Sequence, residues 1–381
     1  DSPKDGISAA GQFGIGRLVG AGYCRRLVFE TSVKGEKIKT RLELDVDFVE
    51  NVLRDSSDDS SANELMDAAT QLKRSAEKEE AHYFKVFLED IKPDYDQLLD
   101  EELVTDYLKE VAPIDFSLPF KSRYYNAIEE EYKPYSNGLS YVNISVNQQN
   151  DIRKRYGLKI EGTEDTIEEL ECFIIKDDKY GELAWGWFAL TKFSKAIPAS
   201  DANRGLRLRK HNIQIGDQTV LNKYFTEARG NNYFYGEVHV LHDQIKPDSG
   251  RSGLAPTPES LRLLDLLKVK FVELKKLYNI ANEAKNAVKN ILDLSSRASS
   301  GEYTPEEAET HKNNIKPATE KFTKIETKAG ELPSTQKVVD LYKKELETKK
   351  ETPSTRPAKT KKDKPEQEVV PPQPIKTSTK P

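Results

Sequence analysis

At 381 residues the chain is long enough for two or three domains, and 36% apolar residues with 9% aromatics can build sizeable cores. Its 59 basic and 64 acidic residues leave a formal charge of −5, which counts against a nucleic-acid-binding chain, and the longest mostly apolar run, Leu183 to Leu190, is far too short to cross a bilayer. Cys24 and Cys172 are distant in sequence with no metal-ligand spacing, and the first residues lack the basic start and apolar core of a signal peptide, so reduced thiols in a cytoplasmic protein without a membrane partner are expected.

Near the start, Gly11-Gln12-Phe13-Gly14-Ile15-Gly16 places three glycines in six residues, directly before a short helix predicted over Arg17 to Tyr23. Glycines let a backbone approach a ligand closely with its N–H groups turned inward, and a helix start behind them adds the positive end of its dipole. The pattern reads as an anion seat, above all for a nucleotide phosphate, although a plain tight turn has the same spacing. Strands are predicted over Leu27 to Val33 and Ile38 to Val46, the second alternating Ile38, Thr40, Leu42, Leu44 and Val46 with polar partners, so an antiparallel pair joined near Gly35 is expected. The polar run Asp55 to Ala62 leads into a helix predicted to about Glu80. Tyr83 to Leu88 is strand-like again, and a helix then runs to Val111, where Ala112-Pro113 ends it.

The stretch from Gly11 to Ser32, GQFGIGRLVGAGYCRRLVFETS, resembles the glycine-rich lid of the GHKL ATPases, and within them the heat-shock protein 90 family. That resemblance implies that Gly11, Gln12, Phe13, Gly14, Ile15 and Gly16 contact the phosphates of ATP, and that the strands after them belong to the C-terminal part of an ATP-binding sandwich. Members of that family join these strands more directly, which makes residues 50–80 a surface insertion. FKVFLEDI resembles the last strand of that sandwich, and the helix after Leu98-Leu99-Asp100 resembles the linker into a middle domain. The family carries Gly-Thr before its last strand where this chain has His82 and Tyr83, so no nucleotide contact is assigned there. The family's general-base Glu, Mg2+-binding Asn and adenine-reading Asp lie upstream of the lid motif. The implied cofactors are therefore ATP and Mg2+, with the Mg2+ ligand expected in a preceding N-terminal part, and this chain by itself is expected to hydrolyse no ATP.

Between Asp115 and Pro256 strands are predicted over Leu139 to Val146, Glu169 to Ile175, Glu182 to Lys192, Leu206 to Lys210 and Tyr233 to Leu241, with helices over Arg123 to Tyr132 and Thr219 to Ala228. Trp185 and Trp187 share one strand face, either in a packed, helix-covered core or as an exposed client-binding patch. In Arg204 to Ile213, Arg207 and Arg209 fall opposite Leu206 and Leu208; a solvated sheet face and a contact to phosphate or an acidic partner are both open. The strand ending at Leu241 runs into a Pro/Gly loop presenting one arginine. This segment resembles the middle-domain loop that sends an arginine to the γ-phosphate in the chaperone family, which places Arg251 in that catalytic role, while Asp248 is too loosely placed for one. His239 and His242 flank a strand end but lack acidic partners at ligand spacing, so no metal site is assigned.

Ser260 to Leu294 has two apolar stripes, Leu267, Phe271, Leu274, Tyr278, Ala281 and Leu277, Ile280, Ala284, Ala287, Ile291, whose combined width suits a helical bundle better than a two-stranded coiled-coil seam. A helix from Pro305 is expected to break at Pro317, and another runs from Ser334 to near Lys350. Seven prolines among the last thirty-one residues mark a disordered tail. The expected fold class is α+β: 1–112 the C-terminal part of a GHKL ATP-binding domain, 113–257 a middle α/β, transducer-like domain with a mixed sheet, 258–350 a helical region and 351–381 the tail. The expected function is an ATP-driven machine acting on a protein client or partner, in a stress-chaperone or bacterial-defence setting, with homodimerisation open. A DNA-associated clamp like MutL or MORC and a non-catalytic interaction module are the alternatives.

Overall fold

The chain is described by a computed structural model over residues 18–55, 57, 59–135, 139–300 and 302–351. β1 (Cys24–Ser32) and β2 (Ile38–Asp45) form the expected antiparallel pair, turning at Gly35, whose φ of 91° suits glycine. α1 (Val46–Arg54) follows, capped by Asp45, whose side chain accepts from the Phe48 N–H. α2 (Ala62–Ala69) opens on a capping box between Ser61 and Glu64. The helix expected to reach Glu80 stops there. Thr70–Ala76 is instead β3, paired along β2 from Thr70↔Leu44 to Ala76↔Ile38, so the end of the supposed insertion belongs to the sheet. Its Gln, Lys, Arg and Ala content favours a helix locally, but pairing to a ready strand edge overrides propensity. β4 (Tyr83–Ile91) pairs with the other side of β1, completing the order β3-β2-β1-β4.

Strand register sorts this first sheet into two unlike faces. Leu27 lies between Leu44 and Leu88, and Phe29 between Leu42 and Val86, which makes one face apolar. The other carries a lattice of ion pairs, with Arg41 to Glu43 and Glu89, Lys73 to Glu43 and Arg26 to Glu89. The two helices and the 3-10 turn Val19–Gly22 cover one end of the apolar face, where Val46, Val49, Met66 and Ala69 pack with Leu27 and Leu44. Toward the other end Leu72 and Phe84 stay 58% and 60% exposed, so among the described residues this layer is half covered.

A 3-10 segment, Pro93–Leu99, and α3 (Glu101–Val111) lead to the second domain. α4 (Leu118–Tyr132) begins five residues before the sequence suggests, because Ser117 caps it through the Phe120 N–H and a proline sits in its first turn. The mixed sheet has the order β5-β6-β9-β7-β8, from β5 (Glu169–Asp177), β6 (Gly181–Leu190), β7 (Gly205–Lys210), β8 (Ile213–Gln214) and β9 (Tyr235–Val240); only β7 and β9 run parallel. Leu139 to Val146 is no strand. It runs without a ladder, held where the Val142 N–H donates to the Pro113 carbonyl and the Ile152 N–H to the Ile144 carbonyl. Thr219 to Ala228 is no α-helix either; only the short 3-10 turns Asn222–Tyr224 and Ala228–Tyr233 form there. The Asn231 side chain fastens the second turn to the sheet, accepting from the Leu206 N–H at 2.8 Å and donating to Asn222 at 2.9 Å.

Both faces of this sheet are covered, which is why β6, β7 and β9 are buried almost throughout. α4 lies over Trp185 and Trp187: Phe120 stands 5.5 Å from Trp187 and Tyr132 5.0 Å from Trp185, so the tryptophans are core and not an exposed patch. At Gly236 the strands press so closely that a Cβ would lie 2.1 Å from the Trp187 carbonyl oxygen. On the far face Leu206, Leu208, Val238 and Val240 meet α5 (Pro258–Ser299), with Phe225 stacked on Phe271 at 4.2 Å and Tyr233 on Tyr278 at 4.5 Å. Both predicted stripes of α5 are buried, and its second half packs against α6 (Pro305–Ala329) and α7 (Pro333–Glu351) in one core continuous with the sheet. Lys192 bridges to Glu345 at 2.7 Å and its carbonyl accepts from the Tyr342 hydroxyl, fixing α7 to the sheet domain.

The expected break at Pro317 does not occur: α6 passes through it, with Ala318, Phe322 and Ile325 buried in the bundle core. Pro317 itself is exposed and leaves a gap in the helix ladder that tertiary packing overrides. Pro317→Ala should therefore stabilise the helical region by about 1–3 kcal/mol, read as a rise in thermal midpoint; an unchanged or lower midpoint would show that the helix is shaped around the proline.

Candidate functional site

Gly11–Gly16 and the tail from residue 352 lie outside the described residues. Of the helix expected over Arg17 to Tyr23, Val19–Gly22 forms a 3-10 turn. The described part of the candidate site is the loop that carries Arg251.

Two tight turns face each other at the β8 edge of the second sheet. His211 and Asn212, with φ of 51° and 60°, make the two-residue hairpin between β7 and β8, a left-handed pair that matches strand twist. Opposite, Asp248 organises the loop after β9: its carboxylate accepts from the Ser252 N–H and hydroxyl, both at 2.8 Å, and its carbonyl accepts from the Arg251 N–H at 3.0 Å. Asp248 is thus the residue that sequence reasoning passed over, and the signal for it was an Asp opening a Ser-Gly turn. Arg251 takes φ 52°, a conformation costly for a side chain with a Cβ and kept only where surroundings enforce it. The enforcing contact is the Gly216 N–H, which donates to the Arg251 carbonyl at 2.6 Å. Gly216 has φ 65°, and a Cβ there would lie 2.9 Å from the Ser252 carbonyl oxygen, so the two turns fit only with glycine at this position.

The Arg251 guanidinium makes two long contacts, Nη2 to the Ile213 carbonyl at 3.3 Å and Nε to the Gln214 carbonyl at 3.4 Å. Among the described residues it forms no ion pair with a carboxylate, and burial pushes its pKa down, with the Tyr107 hydroxyl of α3 opposing. It is a half-buried cation without a counter-charge among the described residues.

The neighbouring arginines are the opposite case. Arg207, Arg209 and Lys210, expected on a solvated face or against an outside anion, are each 2% exposed and satisfied within the protein. Glu237 of β9 is the centre: the Arg209 guanidinium lies 2.6 Å away, Lys154 Nζ 2.9 and 3.1 Å from its two oxygens, and His239 Nε2 3.0 Å. Asn212 accepts a further Lys154 hydrogen bond at 2.7 Å. Arg207 reaches Glu110 of α3 at 2.7 Å, and Lys210 donates to the His242 carbonyl at 2.8 Å. Burial alone would raise the Glu237 carboxyl, but Arg209 and Lys154 outweigh it and hold it well below the usual range. Burial, then the Arg209 charge, pushes the Lys154 ammonium down to about 7 against the pull of Glu237. His239 is pushed down by burial and faces its own sheet neighbour; among the described residues no three metal-ligating groups converge.

This cluster builds the platform under the candidate site and is closed to ligands. Removing the Glu237 charge strands two buried cations, so Glu237→Gln should cost roughly 3–5 kcal/mol in urea unfolding, followed through Trp185 and Trp187. Because the folded-state pKa of Glu237 lies below its unfolded one, its contribution is complete above the ordinary carboxylate range and fades as pH falls below about 4. The gap between wild type and variant should therefore narrow in acid; a gap that widens there would show that Glu237 is not the charged centre. Compared with known proteins, the chain matches no family model, and no curated protein matches it.

Proposed function

We propose that this chain is the lid-to-middle portion of an ATP-driven conformational machine of the GHKL type, similar to heat-shock protein 90 and acting on a protein client or partner. In this reading Gly11–Gly16 closes over a bound nucleotide and Arg251 meets its terminal phosphate. ATP would supply the transferable phosphoryl group, with Mg2+ as its counter-ion.

The carrying observation is the uncompensated charge of Arg251. An ordinary surface arginine pairs with an acid for about 0–1 kcal/mol, and this chain has 64 acids to offer. Arg251 instead sits half-buried in a constrained left-handed turn with two weak carbonyl contacts. A cation held without its own anion is suited to receiving one. Charge that grows on phosphate oxygens in a phosphoryl-transfer transition state is what such a group stabilises, and the rigid loop set by Asp248 and Gly216 avoids reorganisation at that moment. The half-covered apolar face of the first sheet supports the same reading, because one layer of a sandwich needs a second to bury it. The DNA-clamp alternative loses its main basis, since Arg207, Arg209 and Lys210 are buried and internally paired.

In a protein carrying the complete ATP-binding domain, Arg251→Ala should lower kcat by at least about a hundredfold while leaving ATP affinity within a few-fold, because the contact forms on domain closure. Wild-type turnover in that variant would remove Arg251 from the mechanism. Arg207→Ala serves as contrast: it is expected to lower stability through loss of the Glu110 contact. The chain by itself should release phosphate from ATP at the background rate, and turnover above a blank would place the general base within it.

A further inference from the structure

The segment joining the two sheets divides its allegiance at one step. Residues 92–98 are fastened to the first sheet. The Lys92 N–H donates to the Tyr23 carbonyl at 2.9 Å, its Nζ lies 2.5 Å from Glu50, the Tyr95 ring packs edge-on against Tyr23 at 4.9 Å, and Leu98 lines an apolar hollow with Phe84 and Leu88. Among the described residues, the hydrogen bonds and ion pairs that α3 makes with other elements go to the second domain. Glu101 accepts from Asn147 at 2.7 Å and also from Gln149, and Asp106 pairs with Arg155. At its last turn the Glu110 carboxylate accepts from Arg207 at 2.7 Å and Gln214 at 3.2 Å, and its carbonyl from Arg209 at 2.8 Å. Between Leu98 and Glu101 stand only Leu99, 72% exposed, and Asp100, which caps α3 through the Glu102 and Leu103 N–H groups. Among the described residues, no hydrogen bond or ion pair of β1–β4 or of residues 92–99 crosses to the second domain.

From this we infer that Leu99-Asp100 is the hinge of the molecule, and that α3 moves as a part of the second domain, latched there by the Glu110 contacts with Arg207, Arg209 and Gln214. A hinge needs a few residues that absorb a backbone rotation without breaking packed contacts, and this step meets that condition on both sides. The cap supports it as well: Asp100 secures the start of α3 from within, so a rotation before it leaves the helix intact. Tyr107 therefore stays beside the Arg251 loop when the first sheet swings. The domain division that matters for motion falls near residue 99, not at the Ala112-Pro113 helix end suggested by sequence. The inference rests on contacts alone and stands or falls apart from the nucleotide reading.

Limited chymotrypsin digestion of the whole chain tests it. The expected first cuts fall at Leu98 or Leu99, giving a C-terminal fragment that begins with an intact α3 and stays folded. First cuts between Tyr107 and Phe116, with α3 retained on the first-sheet fragment, would overturn it. Hydrogen exchange on the unmodified chain and on Glu110→Ala provides the second arm. The α3 amides should exchange at least about tenfold faster in the variant, with β1 and β4 amides unchanged. Unaltered α3 protection, or loss confined to β1 and β4, would show that the latch lies elsewhere. Should Glu110→Ala fail to fold, the digestion of the unmodified chain decides alone.

Discussion

One buried carboxylate organises the second domain. Glu237 is 0% exposed on the central β9; Arg209 from β7, His239 from β9 and Lys154 from the loop before Tyr156 converge on it, and the Tyr156 hydroxyl donates to it at 3.3 Å. An ion taken out of water is costly unless its partners approach closely, and once they do, removing any of them is more costly still. That asymmetry explains how polar residues can occupy half of a doubly covered sheet. It also ties the fold to its periphery, since Arg209 reaches onward to the Glu110 carbonyl and the same row of arginines holds α3. Positions that set the sheet and positions that set the linker are thus neighbours on one strand.

The two sheets answer the burial problem differently. In the second, apolar side chains face α5 on one side, and aromatic residues with the charge cluster face α4 on the other. In the first, half-buried ion pairs line one face while the apolar face is covered at one end. Half-buried surface ion pairs such as those of Arg41, still reached by solvent, contribute modestly to stability, so this layer depends mainly on the apolar side for its cohesion. Its dependence on a covering layer and the rigid independence of the second domain are consistent with a joint between them.

Much of the architecture was legible in the chain. Alternation placed β2 and β7, apolar and aromatic runs placed β1, β4, β5, β6 and β9, and double apolar stripes placed α5, because those patterns report which residues face a core. What misled was local pattern without its tertiary partner. Leu139 to Val146 alternates like a strand but finds no strand edge to pair with, and Thr219 to Ala228 has helical spacing but is pulled into turns by Asn231. β7 showed its arginines on one side, yet nothing nearby revealed that Glu237 and Glu110, 28 and 97 residues away from Arg209 and Arg207, would cover them. The tight turn around Arg251 was legible in its Pro and Gly residues; its left-handed backbone was not, being set by Gly216 from a different turn, nor was the lack of a carboxylate partner among the described residues.

α5 runs unbroken through 42 residues, a rod of about 63 Å. Its first half is bolted to the sheet by Phe271 and Tyr278, and its second half carries α6 and α7. The far half is held as well: Lys285 donates to the Ser194 carbonyl, and α7 is tied back to the sheet through Lys192 and through Lys337 with Glu169 and Glu171. A rod held along its length is a strut and not a lever. A partner pressing on the distal helices would therefore load β5 and the Lys192 loop directly, without first having to tilt α5.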